Sequence, residues 1–135
     1  MSDSNIQIVQ TIYAAFGRGD VPAIVEHIDD KLTRFGVVSE SKDIPWHVQV
    51  QSKKDVPLFF KALAESVDFT RFEPRDFAAA GEYVYCTVSF DITFKKSGKK
   101  LTYEDTMHRF RIRNGRVIEW RGTEDTAKTI AAYKG

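Results

Sequence analysis

From Phe69 to Trp120 the apolar residues of this chain recur at nearly every second position, whereas before Phe69 they recur every three or four. A period of two belongs to strands with one buried face, and a period near 3.6 to helices with one buried stripe. Helices therefore come first and a sheet follows, and the apolar face of that sheet needs those helices as its cover. This is an α+β arrangement.

The first stripe is Ile6, Val9, Ile12, Tyr13 and Phe16, stopped by Gly17 or Gly19. Asp20 then caps a short second helix, VPAIVEHI, whose Pro22 sits in the first turn where a missing N–H costs little. A strand over Leu32 to Val38 follows, and after it a polar stretch, SESKDIPWHVQVQ, longer than a connection requires; ordered loops of that length are often functional. Val56, Phe59, Phe60, Leu63 and Val67 form the second helical stripe, with Asp55 or Ser52 at its N-cap. Four strands come next, FTRFEPRDF, EYVYCTVSFDITFKK, KKLTYEDTMHRFRIR and RVIEWRGTE, joined at Ala80-Gly81, Ser97-Gly98 and Asn114-Gly115. Those turns suit antiparallel hairpins. A short helix, DTAKTIAAYK, closes the chain, and residues 1–135 are read as one domain with a single core.

Composition excludes several classes of function. A net charge of +1 with 29% charged residues creates no dominant field, and the arginines of the last strands alternate with apolar residues instead of lining a stripe with stacked aromatics, so nucleic acid is not expected as a partner. No apolar run approaches the roughly 18 residues that cross a bilayer. The single cysteine, Cys86, has no partner for an internal disulfide, and MSDSNIQ lacks the apolar core of a secretory signal, which makes the reducing cytoplasm the default location. His27, His47 and His108 lie on different elements without metal-ligand spacing, and no phosphate loop or nucleophile motif is present. No metal and no cofactor is expected.

The strands divide into two faces. Val84, Cys86, Val88, Phe90 and Ile92 share the inner face of their strand, as do Thr106, His108, Phe110 and Ile112 on the next. Tyr85, Thr87, Ser89, Tyr103 and Met107 are assigned to the outer face, which is too aromatic to be left to water and too polar for a core. A homodimer through this face is the expectation.

The strings IVQTIYAAFGRGDVPAIVEHI, VPLFFKALAESVDFTRFEP, TVSFDI and MHRFRIRNGRVIEWRGTEDTA, in this order and over nearly the whole chain, resemble the SnoaL-like and ketosteroid-isomerase-like branch of the NTF2-like superfamily. The resemblance implies a strongly curved, mostly antiparallel sheet wrapped against N-terminal helices into a cone, enclosing an apolar cavity, and usually a dimer. It does not carry function with it, because one fold hosts many chemistries. Ketosteroid isomerase uses an Asp base with a Tyr and a protonated Asp as oxyanion donors. Matched by eye, the donor Tyr falls on Ile12, the base on Phe35 and the protonated Asp on His108, with Tyr13 turned about 100° away from the first position. That machinery is therefore disfavoured here.

Within the implied cavity His108 is the first catalytic candidate, since an imidazole can give and take protons near neutrality; the alternative is a core histidine that only satisfies its nitrogens. Asp125 matches the acidic residue that SnoaL-like proteins carry after the last strand, and it is equally a good N-cap for the terminal helix. Glu124 is the second carboxylate. Trp120 offers a flat wall to a ring-shaped ligand, Trp46 takes the place of an aromatic over the mouth, and Tyr13, Phe35, Phe60, Val88 and Phe90 complete the candidate ligand contacts. The implied ligand is a small, mostly apolar, cyclic or carbonyl-bearing molecule. Two functions stay open: a cofactor-free isomerase, cyclase or dehydratase (an isomerase or lyase) working by acid–base chemistry, and a non-catalytic binding or carrier module. An interaction domain whose cavity is filled by Phe and Trp side chains is a third.

Overall fold

The computed structural model describes residues 2–135, with side chains from residue 4 onward. Helix α1 (Ser2–Gly17) carries the first stripe and buries Val9, Ile12 and Ala15. Helix α2 is short (Val21–Val25), with Asp20 accepting a hydrogen bond from the Ala23 amide at 3.1 Å as its cap. Strand β1 spans Arg34–Val37, and helix α3 spans Val56–Ser66 after a single 3-10 turn at Lys53–Asp55. That turn replaces the expected side-chain cap: neither Asp55 nor Ser52 caps the helix, and their side chains bond to each other at 3.0 Å.

Four long strands follow: β2 (Val67–Ala80), β3 (Tyr83–Phe94), β4 (Lys100–Arg113) and β5 (Arg116–Gly122), and then helix α4 (Thr126–Lys134). The sheet order is β1-β5-β4-β3-β2, antiparallel except for β1, which runs parallel to β5 with Phe35 opposite Trp120. At the β4–β5 turn Asn114 and Gly115 both have positive φ, 52° and 77°, as a two-residue type I′ hairpin requires. Pro74 lies on β2, an edge strand, where a missing N–H breaks no ladder.

Register shifts bend this sheet and change its faces. One extra residue on β2 near Thr70 places Phe69 opposite Ile92 and Phe72 opposite Phe90, so both rings turn inward although they are three residues apart. On β4, Val88 pairs with Thr106 but Phe90 pairs with Tyr103. The extra residue reverses the alternation. Tyr103, assigned from sequence to the outer face, is only 4% exposed and stacks on Phe90 at 4.6 Å. Ser89 is likewise buried, donating to the Glu104 carbonyl. Tyr85 and Met107 do lie on the outer face, 41% and 52% exposed.

The concave face of the sheet meets α1 and α3 through a dense aromatic cluster. Phe35, Phe59 and Trp120 are all buried, with ring centres 4.9 Å (Phe35–Trp120) and 5.5 Å (Phe59–Trp120) apart. Removing each from water is worth about 1.5–3 kcal/mol or more. No described helix is long and apolar enough to cross a membrane.

Candidate functional site

The aromatic layer does not close completely. Between α1, α3 and the concave face of the sheet lies a cavity of about 100 Å³, counted as space for the centre of a water-sized sphere. Its walls are apolar apart from Tyr13, His108, Thr123, Glu124 and the ring N–H of Trp46 and Trp120. Phe35, Trp46, Phe60, Phe90 and Trp120 line it as the sequence suggested, together with Phe16, Phe59, Phe69, Phe72 and Phe110. Phe16, Phe60, Leu63, Phe69 and Phe72 also line a larger, more open groove of about 450 Å³ beside α2, rimmed by Asp68, Arg71 and Lys95. These side chains therefore stand between the groove and the cavity.

Val88 does not reach the cavity. It is fully buried on β3, where its carbonyl accepts from Thr106 Oγ1 at 2.6 Å. Tyr13 does reach it: Ile12 and Tyr13 both line the cavity, because α1 presents a broad face to the sheet and a rotation of about 100° between neighbours leaves both on it.

His108 on β4 is the polar centre. Its Nδ1 lies 2.6 Å from the Tyr13 hydroxyl, and that hydroxyl lies 3.3 Å from Cys86 Sγ. Trp120 meets the imidazole edge to face, with centres 5.1 Å apart. Gly122 makes room for the ring: a Cβ there would lie 3.1 Å from His108 Cδ2 and 3.2 Å from Nε2. Burial drives the His108 pKa down from 6.5 to about 3, since an apolar site disfavours the imidazolium. Burial likewise pushes the Tyr13 phenol well above its ordinary value and the Cys86 thiol up to about 11.

At neutral pH all three groups therefore keep their neutral forms, with one hydrogen each to place. Two neutral arrangements fit these contacts: Tyr13 O–H donates to His108 Nδ1, which leaves Nε2–H as a donor, or His108 Nδ1–H donates to the Tyr13 oxygen, which leaves Nε2 as an acceptor. The sequence admitted an acid, a base or a donor at position 108. The buried environment keeps the ring neutral and disfavours an imidazolium.

A second polar cluster lies beyond the end of β5. The Thr123 amide bonds to the Met107 carbonyl at 2.9 Å, and the next residue, Glu124, lines the cavity. One carboxylate oxygen lies 2.7 Å from His47 Nε2; the other accepts from Thr129 Oγ1 at 2.7 Å, and Thr129 in turn meets the Tyr103 hydroxyl at 2.5 Å. Asp125, one residue on, is outside the cavity lining. Its side chain is exposed, and it caps α4 by accepting from the Lys128 amide at 3.0 Å. Of the two readings of Asp125, the structure places it in the cap, and the carboxylate at the cavity is Glu124. His47 was considered in the sequence only as a metal ligand. The sole signal for its role was its place in the long loop beside Trp46. Among the described residues no group of three metal-ligating side chains converges.

A curved, mostly antiparallel sheet closed by helices over an aromatic chamber, with a few polar groups inside, defines an α+β protein of the NTF2-like class. The chain belongs to the SnoaL-like domain family, which matches residues 9–120. Its fold is that of an NTF2-like protein of unknown function from Burkholderia pseudomallei, at 22% identity over 98% of each chain with a TM-score of 0.87. TerC, co-crystallized with polyporic acid, is similar at 16% identity, covering 98% of this chain and 99% of that one, with a TM-score of 0.84. So is an LEH-like epoxide hydrolase from Mycobacterium tuberculosis, at 14% identity over 98% and 91%, with a TM-score of 0.74. Comparison with curated proteins finds no significant match.

Proposed function

We propose that this protein binds a small, mostly apolar, cyclic molecule bearing a carbonyl and moves a proton at the carbon beside that carbonyl, without a cofactor, as an isomerase, cyclase or dehydratase does. The observation that carries this reading is the Tyr13–His108 pair set inside an otherwise aromatic cavity, with Glu124 on the same wall. His108 faces Gly122 across the β4–β5 ladder, Glu124 follows two residues later, and both line the one cavity, which supports their acting on one ligand.

In the proposed step the carbonyl oxygen accepts from His108 Nε2–H, whose own Nδ1 is held by Tyr13. Glu124 takes the proton from the adjacent carbon, the C–H electron pair becomes the enol(ate) double bond, and negative charge develops on the oxygen facing His108. Return of the proton to a different carbon completes an isomerisation; attack of the enolate carbon on a second electrophile completes a cyclisation. A fixed donor aimed at a developing oxyanion in a dry site is worth about 10²–10³ in rate. Likeness to TerC, co-crystallized with polyporic acid, supports a small-molecule ligand. We further read the protein as cytoplasmic, from its unpaired Cys86, and as a homodimer through the outer face at Tyr85 and Met107, where large apolar side chains are exposed.

The test is deuterium exchange at the α-carbons of 2-tetralone, a flat bicyclic ketone, followed by proton NMR in D₂O. Exchange faster than buffer, lost in Glu124→Gln, is expected. Binding of the ketone without exchange would replace the enzymatic reading with a carrier.

A further inference from the structure

We propose that His47 is a positioning residue for Glu124: from the loop between β1 and α3 its Nε2–H holds the carboxylate with its free lone pairs toward the cavity. The inference rests on the reading of Glu124 as the proton acceptor given above, and it adds a residue that does not itself line the cavity.

Glu124 lies past the last ladder bond of β5, so its backbone alone does not aim its side chain. Two donors do so from behind. His47 Nε2 meets Oε1 and Thr129 Oγ1 meets Oε2, each at 2.7 Å. Thr129 has one hydrogen and three possible acceptors near it, Glu124, the Asp125 carbonyl at 2.9 Å and the Tyr103 hydroxyl at 2.5 Å. His47 is therefore the donor with no competing use. Its Nδ1 is buried without a partner among the described residues, and since the carboxylate oxygen can only accept, Nε2 carries the hydrogen of this contact. Both side chains are withdrawn from water, at 0% and 7% exposure, so the bond is little screened.

The loop that carries His47 is itself fixed. The His47 amide bonds to the Ile44 carbonyl at 3.0 Å, Trp46 stacks on Phe94 at 6.1 Å, and the Phe35 amide bonds to the Val50 carbonyl at 2.8 Å. The first bond closes a turn within the loop, and the other two contacts tie the loop to β3 and β1 on either side of the imidazole.

The experiment compares His47→Met, which keeps volume but removes the donor, with His47→Gln, whose amide nitrogen reaches the Nε2 position and restores it. The probes are 2-naphthol, whose hydroxyl can donate to the Glu124 carboxylate, and naphthalene, which lacks the hydroxyl; both are titrated by fluorescence. His47→Met should lose roughly tenfold of the preference for 2-naphthol with naphthalene affinity unchanged, the worth of one hydrogen bond to a charged group, and His47→Gln should recover it to within about twofold. In 2-tetralone exchange the same variant should lower kcat with little change in KM. Equal loss of both probes, no loss, or a Gln variant as poor as Met would overturn the inference.

If the wild type exchanges no deuterium but the naphthol preference follows this pattern, the enolisation reading falls and His47 stands. A crystal structure of His47→Met, or of His47→Leu should the first not fold, decides without any ligand: a Glu124 carboxylate turned out of its wild-type place is expected, and one unmoved in the variant obtained overturns the proposal.

Discussion

The Tyr13 hydroxyl on α1 and His108 Nδ1 on β4 stand 2.6 Å apart, joining residues 95 positions apart in the chain. The pair ties the N-terminal helix to the middle of the sheet and fixes which nitrogen of His108 is free. Replacing Tyr13 by Phe leaves Nδ1 buried and unpartnered, and so should lower stability by about 1–3 kcal/mol in denaturant unfolding. The free imidazole then has no imposed orientation, and α-exchange of 2-tetralone should slow with it.

A neutral His108 gives the folded protein a defined pH dependence. The imidazole has a pKa of about 6.5 in the unfolded chain and about 3 when buried. Between those values the unfolded state binds a proton that the native state refuses. This contribution is complete above about pH 6.5, and it is lost as pH falls toward 3 at up to ~1.4 kcal/mol per unit. Unfolding curves of wild type and His108→Gln should converge in this window as pH is lowered. Parallel curves would show that the imidazole is not desolvated.

The donor role also separates two substitutions in activity. His108→Leu removes the N–H and should reduce exchange about 10²–10³-fold. His108→Gln keeps an N–H and should retain a measurable part of the rate, whereas a proton-carrying imidazole would lose it in both variants.

Gly122 is a steric test of the same geometry. A methyl there would press on the His108 ring at 3.1–3.2 Å and on Trp120 Cζ2 at 3.1 Å. Gly122→Ala should cost about 1–3 kcal/mol through overpacking and should reduce exchange by displacing His108, read by thermal unfolding and NMR together.

The neighbouring carboxylates should part company. Asp125→Asn weakens a helix cap, costing about 1 kcal/mol or less, and should leave exchange unchanged; Glu124→Gln should abolish exchange. For the homodimer, sedimentation of Tyr85→Glu combined with Met107→Glu should show monomers where wild type shows dimers, because both side chains stand on the outer face.

By itself the sequence determined the order of elements and the inner face of most strands. The α1 stripe, the Asn114-Gly115 turn and the set His108, Phe110 and Ile112 all lie where their spacing put them, because a helical stripe, a positive-φ turn and a period of two are local properties. Tertiary structure alone decided the rest. The bulge opposite Ser89 turned Tyr103 inward, and the shift near Thr70 brought both Phe69 and Phe72 to the cavity; one extra residue reverses a strand's alternation without marking its composition. The choice between Glu124 and Asp125 was settled by where β5 ends and α4 begins. Whether Tyr13 meets His108, and His47 meets Glu124, depends on elements 95 and 77 residues apart. Such contacts follow from how helices and loop dock on a bent sheet, a geometry that no local spacing encodes.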